Sequence, residues 1–163
     1  MLGLRILPVP RRVAPDLVEA FRGVPVANVS DCMTRMTAAG ARLRPLSRET
    51  RLSAPAITVK TRPGDNLMIH KALEIAQPGD VIVVDGGGDL SNALIGELMT
   101  TYAIRRGLAG FVIDGAIRDL DVIGAGALPV FAAGVTHRGP YKDGPGEINA
   151  PIAIDGIVIH PGD

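Results

Sequence analysis

One stretch in the middle of the chain restricts the possible folds more than any other. From residue 78 to residue 115 the sequence reads PGD, the apolar run VIVVD, GGGD, a single leucine, the segment SNALIGELMTTYAIRRG and a second apolar run, LAGFVIDG. The apolar runs do not alternate with polar residues, which is typical of strands covered on both faces. Between them, 91–107 has the pattern of a helix that ends at Gly107, with Arg105 and Arg106 in its last turn. The stretch therefore predicts a strand, a helix and a strand in an α/β fold.

Short elements separated by turns are predicted for the rest of the chain. Strands are expected at 53–60 and 128–134, and helices at 15–22, 32–36, 66–76 and 116–123. Pro15 and Gly23 are placed to begin and end the first helix. Ser30 and Asp31 are placed to cap the helix at 32–36, and Asp65 the helix at 66–76. The Gly/Pro-rich segment 134–151 is too long for a simple connection and is typical of an interface or an active-site wall.

Charge and composition exclude several classes of partner. Seventeen Lys and Arg balance seventeen Asp and Glu, so the basic excess needed to neutralise nucleic-acid phosphates is missing. Aromatic residues make up only 3% of the chain and Trp is absent, so an aliphatic core is expected. The N-terminal segment is interrupted by Arg5, Pro8 and Pro10, unlike a signal peptide, and the apolar stretch ALPVFAAGV is too short to cross a bilayer. The lone Cys32 favours a reducing compartment. We expect a soluble, cytoplasmic protein without nucleic-acid or membrane partners.

Charged residues and glycines follow the two buried strands directly. Arg118 and Asp119 come after the second strand, and Asp85 and the loop 86–89 come after the first, so the two groups are expected on the same rim of the sheet. Ligands of open α/β sheets lie outside the carboxyl ends of the strands, and consecutive glycines let backbone N–H groups approach an anion. The alternative is structural: the glycines serve a tight turn, and Arg118 pairs locally with Asp114 or Asp121. The residues alone leave both interpretations open.

Other residues with chemical potential have structural explanations. His70 lies in a predicted helix, where a lone histidine more often packs or lies at the surface than binds a ligand. Asp89 and Asn92 either cap the helix predicted at 91–107, which is favoured, or line a pocket. Cys32 is expected to be a small buried apolar residue. No two histidines have the spacing of zinc ligands.

The longer motifs resemble a known family. Glu97, twenty intervening residues and then Arg118-Asp119 resemble the signature of 4-hydroxy-4-methyl-2-oxoglutarate aldolases, the class II pyruvate aldolases of the RraA-like family. The resemblance extends from about residue 25 to the end through PGDNLMIHKAL, PGDVIVVDGGGDLSNALIGELM, GFVIDGAIRD and GPYKDGPGEINAP. The family also contains RraA, a protein inhibitor of RNase E, and members once labelled demethylmenaquinone methyltransferases.

The resemblance implies a fold and a site. The fold would be a layered α/β sandwich with a mixed central sheet, a swivelling βαβ-type domain. Asp119 would ligate Mg²⁺ or Mn²⁺, largely through water, and Arg118 would hold the carboxylate or ketone oxygen of the substrate. Glu97 stands at the first acidic position of the signature. The pyruvyl carboxylate would be bound by backbone N–H groups of Gly96, Glu97, Leu98 and Met99.

The resemblance also implies an activity and an assembly. The activity would be that of a carbon–carbon lyase, which cleaves 4-hydroxy-4-methyl-2-oxoglutarate-type acids to pyruvate and decarboxylates oxaloacetate through a pyruvate enolate. The protein would form a homotrimer or hexamer with sites at subunit boundaries. The alternative is a regulator that binds and inhibits an RNA-degrading enzyme. This chain carries Leu-Asp-Val-Ile at 120–123, where the regulators have an acidic pair, which disfavours the alternative. Glu97 stands where better-defined aldolases have Asp.

Two other chemistries are disfavoured. A Schiff-base mechanism requires a desolvated lysine in the pocket, and the three lysines, Lys60, Lys71 and Lys142, all lie outside 97–119. A methyltransferase would bind a nucleotide cofactor, for which the single glycine-rich GGGD turn is weak evidence.

The chain is expected to form one RraA-like domain over residues 1–163. The Pro-Gly-Asp at 78–80 leads into a buried strand, and the same three residues stand at 161–163. A strand is therefore expected after Asp163, so that the domain would lack its C-terminal strand or helix.

Overall fold

The computed structural model describes residues 3–163. The strands of this range are β1 (Leu4–Ile6), β2 (Arg44–Pro45), β3 (Ala56–Thr61), β4 (Val81–Ile95), β5 (Gly110–Ile117), β6 (Val130–Val135), β7 (Gly146–Ile148), β8 (Ile152–Ile154) and β9 (Ile157–Ile159). The helices are α1 (Pro15–Phe21), α2 (Val26–Cys32), α3 (Leu67–Ile75), α4 (Glu97–Arg105) and α5 (Leu120–Ala125). None of the helices between residues 3 and 163 has the length and apolar character needed to cross a membrane.

A seven-stranded mixed sheet organises the molecule, in the order β1-β7-β3-β4-β5-β6-β2. Strands β3, β4, β5 and β6 are parallel neighbours, while β7 runs antiparallel to β3 and β2 antiparallel to β6. The apolar runs of β4 and β5 pair directly, with Val83 opposite Val112. The predicted mixed α/β fold is confirmed, and the two strands that dominate the sequence pattern lie at the centre of the sheet.

Each face of the sheet carries its own apolar cluster. The larger cluster joins Val59, Val84 and Ile113 to buried residues of α3, α4 and α5. The smaller one joins Val81 and Val83 to the hairpin formed by β8 and β9. Alternate residues of a strand face opposite sides of the sheet, so a fully apolar strand supplies both clusters. Among the described residues Phe111 is the only aromatic residue of the buried core, in agreement with the expected aliphatic interior.

The prediction of a helix at 32–36 is wrong. The chain forms α2 six residues earlier, over Val26–Cys32, directly after Pro25. Proline has a fixed φ that suits the start of a helix, and here it outweighs the capping potential of Ser30 and Asp31. The helix ends where Thr34 takes a positive φ of 61°. Cys32, expected to be buried, is exposed.

The prediction of a helix at 91–107 is wrong for residues 91–96. Strand β4 continues for 15 residues to Ile95, with irregular register against β5, and α4 begins only at Glu97. Ala93, Leu94 and Ile95 are buried there, and a short apolar run of this kind suits a strand as well as a helix. Asp89 and Asn92 are therefore not helix caps.

Smaller differences concern element ends. Strand β3 begins after Pro55 and not at residue 53, and α5 begins at Leu120 because 116–117 complete β5. The long segment 134–151 contains β7 near its end. The N-cap of α3 is Asn66 and not the predicted Asp65, and no side chain makes the capping hydrogen bond. Asp65 contributes one residue earlier, where its Oδ1 accepts a hydrogen bond from the Leu67 N–H at 2.9 Å.

Candidate functional site

The end of β4 and the end of β5 bring the two halves of the Glu97…Arg118-Asp119 motif together. The Arg118 N–H donates to the carbonyl of Ile95 at 3.0 Å. Oδ2 of Asp119 accepts a hydrogen bond from the backbone N–H of Glu97 at 2.9 Å, and the Arg118 Nε lies 3.7 Å from the same oxygen. The twenty-residue spacing thus corresponds to one helix and one strand, after which the chain returns to the neighbouring strand end.

Asp119 has a backbone conformation that orients its side chain. Its φ of 56° and ψ of 45° are left-handed, a region that Asp enters more readily than most residues. The residue precedes α5, yet its side chain does not cap that helix and instead reaches the first turn of α4. The positive end of a helix dipole favours a carboxylate at this place. Oδ1 has no hydrogen-bond partner among residues 3–163, and the side chain is 38% exposed.

Position 96 requires glycine because a side chain would not fit there, and not because of the backbone angles. Its φ of −155° is extended and open to any residue. A Cβ at this position would lie 2.5 Å from the Asp119 Oδ2 and 2.9 Å from the Arg118 Cγ. The absence of a side chain at position 96 therefore allows Arg118 and Asp119 to approach the start of α4.

The start of α4 offers fewer free N–H groups than the sequence led us to expect. Asp119 occupies the N–H of Glu97, and the N–H of Met99 bonds to the Gly96 carbonyl at 3.1 Å. The N–H of Leu98 has no acceptor within the described chain. The side chain of Glu97 is exposed, and its contact with the motif is made through the backbone.

A small cavity of about 100 Å³ opens beside this motif, at the carboxyl ends of the strands. Gly96, Leu98 and Arg118 contribute to its wall, together with His70 of α3 and Lys142 of the loop before β7. Asp119 does not line it and contacts instead the first residue of α4, through the Glu97 N–H. A larger groove of about 940 Å³ runs past Arg12 and Asp80 at the opposite, amino ends of the strands, away from the motif.

Two polar residues of this cavity, Asn66 and Lys142, were not predicted from the sequence, and His70 was expected to be a packing or surface residue. The Lys142 Nζ lies 3.2 Å from Oδ1 of Asn66 and 3.0 Å from Nε2 of His70. Partial burial lowers the pKa of His70, and the cation of Lys142 lowers it further, while Glu74 opposes the shift. A neutral imidazole can accept at Nε2, which matches the contact with the ammonium. The sequence signal for Lys142 was weak, since 76 residues separate it from Asn66.

The glycine loop after Asp85 does not belong to the cavity. Asp85 pairs with Lys60 at 2.6 Å and also accepts the Gly87 N–H at 3.1 Å, so that the loop closes on its own carboxylate. Asp114 pairs with Arg42 at 2.9 Å and not with Arg118. The expectation that Asp85 and residues 86–89 share a rim with Arg118 is therefore wrong. The irregular end of β4 separates them, and 93–95 border the cavity instead.

Asp89 and Asn92 have local partners. Asp89 accepts hydrogen bonds from its neighbour Ser91, at 2.9 Å from the backbone N–H. Asn92 is buried and donates to the carbonyl of Gly139 at 2.5 Å, which fixes the long loop against β4. Neither side chain lines the cavity, so the pocket alternative also fails for both.

Comparison with known proteins gives consistent results. A protein of Halalkalibacterium halodurans named "Putative 4-hydroxy-4-methyl-2-oxoglutarate aldolase" is 40% identical over 148 residues, which are 91% of this chain and 70% of that protein. A protein of the same name from Ectopseudomonas mendocina is 36% identical over 107 residues, 66% of this chain and 65% of its own length. The chain therefore spans about two thirds of the length of these relatives.

A solved structure agrees with the sequence matches. The RNA-processing inhibitor RraA from Thermus thermophilus superimposes with a TM-score of 0.77 at 29% identity, covering 85% of this chain and 84% of that one. The profile of the RraA-like family, described as Aldolase/RraA, matches residues 26–163. This range contains the Arg118-Asp119 motif and every residue named in the cavity wall, and the chain therefore belongs to the RraA-like family.

Proposed function

We propose that the protein is a divalent-metal-dependent carbon–carbon lyase. It would cleave 4-hydroxy-4-methyl-2-oxoglutarate-type 2-oxo acids to pyruvate and would also decarboxylate oxaloacetate. The observation that carries the proposal is the joint placement of the Arg118 guanidinium and the Asp119 carboxylate at the start of α4, beside a cavity of about 100 Å³. The names of the curated relatives support the same activity.

The cavity suits the pyruvyl part of such a substrate. The free N–H of Leu98 and the positive end of α4 favour a carboxylate, and Arg118 adds a fixed cation. When the carbon–carbon bond breaks, negative charge develops on the 2-oxo oxygen, and a preorganised guanidinium stabilises that charge. Aldol cleavage and oxaloacetate decarboxylation both leave a pyruvate enolate, so one site can serve both reactions.

Asp119 fits the role of a ligand for Mg²⁺ or Mn²⁺. One of its oxygens is held by Glu97, while Oδ1 is free within the described chain and the side chain is partly exposed. Mg²⁺ keeps several waters and needs only one or two carboxylates, so a single oxygen donor is adequate. Bound there, the ion would supply Lewis-acid polarisation of the substrate oxygen. Glu97 would contribute by holding Asp119 through its backbone.

A regulatory function is the second candidate, and the similarity to the RNA-processing inhibitor RraA favours it. A regulator can keep this fold without releasing pyruvate. Pyruvate formation from oxaloacetate by the purified protein, with and without EDTA, separates the two candidates. Metal-dependent release of pyruvate supports the lyase. If neither oxaloacetate nor 4-hydroxy-4-methyl-2-oxoglutarate releases pyruvate, the regulator is favoured.

We also propose that the protein assembles as a trimer or a hexamer. Apolar side chains are exposed on α4, where Leu98 is 80% and Ile104 56% accessible, and on α5, where Val122 is 43% accessible. Leu98 also lines the cavity. A closed cyclic assembly would cover this surface and complete the site. Light scattering should give a mass near three or six times the 17.0 kDa of one chain.

A pair of variants tests which surface makes this contact. Ile104→Glu should lower the measured mass, because it places a charge in the proposed interface. Val158→Glu, at an equally exposed position of the β8–β9 hairpin, should not. A wild-type mass near 17.0 kDa with full activity would refute the assembly and the shared site.

A further inference from the structure

The three lysines of the chain differ in their partners. Lys60 pairs with Asp85 at 2.6 Å and Lys71 pairs with Glu74 at 2.8 Å. Lys142 has no carboxylate within 4.0 Å in the part of the chain that the structure describes, and its partners are the uncharged acceptors Asn66 and His70. Within residues 3–163 the charge of Lys142 is therefore not paired with a carboxylate, and the residue lines the same cavity as Arg118.

We propose that Lys142 is the second cation that binds the carboxylate of a 2-oxo acid in this cavity, and that buried Asp65 is the positioning residue that holds Lys142 there. The proposal rests on the proposed function and extends it to residues outside the Glu97…Arg118-Asp119 motif.

The ammonium of Lys142 is suited to this role. It has three donors, of which Asn66 and His70 take two, so that one remains for a ligand. The two acceptors fix the position of Nζ, and the exposed side of the residue leaves access for an anion. Lys142 and Arg118 both line the cavity of about 100 Å³, a volume that suits a three-carbon acid.

Asp65 connects the lysine's loop to the start of α3. Its carboxylate is fully buried, and Oδ2 accepts the N–H groups of Asp143 at 2.7 Å and Gly144 at 2.9 Å. The carbonyl of Tyr141 accepts the Asn66 N–H at 3.0 Å, which holds the other side of Lys142. The loop is thereby fastened on both sides of Lys142, next to the helix that supplies Asn66 and His70.

The test compares an acid with its uncharged ester. Pyruvate and methyl pyruvate are titrated into Mg²⁺-loaded protein by calorimetry, and both are also assayed as inhibitors of oxaloacetate decarboxylation. The wild type should prefer pyruvate, and Lys142→Met should reduce that preference by about tenfold, or about 1.4 kcal/mol. Lys71→Met, an exposed lysine on α3 outside the cavity, is the matched control and should keep it.

The outcomes separate this inference from the proposed function. A wild type that binds pyruvate without releasing it from oxaloacetate would count against the lyase while leaving the role of Lys142 testable by binding. Equal preference for pyruvate in the wild type and in Lys142→Met would overturn the inference. Absence of pyruvate binding to the wild type would overturn it as well.

Asp65→Asn tests the positioning role. An amide has a single acceptor oxygen, so either the Leu67 N–H or the N–H groups of 143–144 lose their acceptor. The ion pair with Arg62 at 3.3 Å is lost in both orientations, so the contact between the loop and the start of α3 should weaken. The preference for pyruvate should fall, and adding Lys142→Met should lower it little further. A folded Asp65→Asn protein with wild-type preference would show that Asp65 does not position Lys142. If this variant does not fold, Lys142→Met alone decides the inference.

Discussion

Asp119→Asn is expected to lower the rate of pyruvate release from oxaloacetate by at least about 100-fold, or about 2.7 kcal/mol of transition-state stabilisation. Asn preserves the shape of the side chain and, like Asp, tolerates the left-handed backbone with φ of 56° that this position adopts. Its amide oxygen can still accept the N–H of Glu97. The variant therefore removes the negative charge and the anionic ligand with little change to the fold.

Asp121→Asn is the matched control for this experiment. It makes the same substitution two residues later, at an exposed position in the first turn of α5. Both variants should retain the wild-type circular dichroism spectrum and melting temperature, and only Asp119→Asn should lose activity. Undiminished pyruvate release by Asp119→Asn would remove Asp119 from the mechanism.

Gly96→Ala is expected to cause a loss of similar size, although it substitutes no charged residue. The new methyl group would lie 2.5 Å from the Asp119 Oδ2 and 2.9 Å from the Arg118 Cγ, closer than non-bonded atoms approach. One or both side chains must move. Misplacement of catalytic groups by about 1 Å can cost about 100-fold in rate. Steady-state kinetics with oxaloacetate measures the effect.

Gly23→Ala provides the comparison, because a Cβ at Gly23 meets no atom within 4 Å. It should leave both stability and pyruvate release unchanged. Wild-type kinetics in Gly96→Ala would show that the contacts of Arg118 and Asp119 with the start of α4 are not needed for activity.

The central strands and the motif were predictable because their signals are local or regularly spaced. Strands β4 and β5 are continuous apolar runs, and Arg118-Asp119 follow the second run directly. The extent of β4 was not predictable, since 93–95 are buried by pairing with β5 and their apolar pattern fits a helix equally well. Whether such a segment forms a strand or a helix depends on the strand with which it pairs, and the sequence pattern does not identify that strand.

The part of the cavity wall formed by Asn66, His70 and Lys142 depends on the topology of the fold. Lys142 reaches Asn66 and His70 only because the loop before β7 passes the start of α3, where Tyr141 pairs with Asp65 in an isolated bridge. Nothing in the spacing of these residues predicts the contact. No lysine lies between residues 97 and 119 of the sequence, yet Lys142 enters the cavity wall from a distant loop.

The most direct test of the account is pyruvate release from oxaloacetate by the wild-type protein before and after removal of bound metal with EDTA. Pyruvate release is expected to stop when EDTA removes the metal and to return when Mg²⁺ or Mn²⁺ is added in excess. Release that continues at the same rate in EDTA would contradict the role given to Asp119. Absence of release from both oxaloacetate and 4-hydroxy-4-methyl-2-oxoglutarate, with either metal present, would contradict the assignment as a lyase.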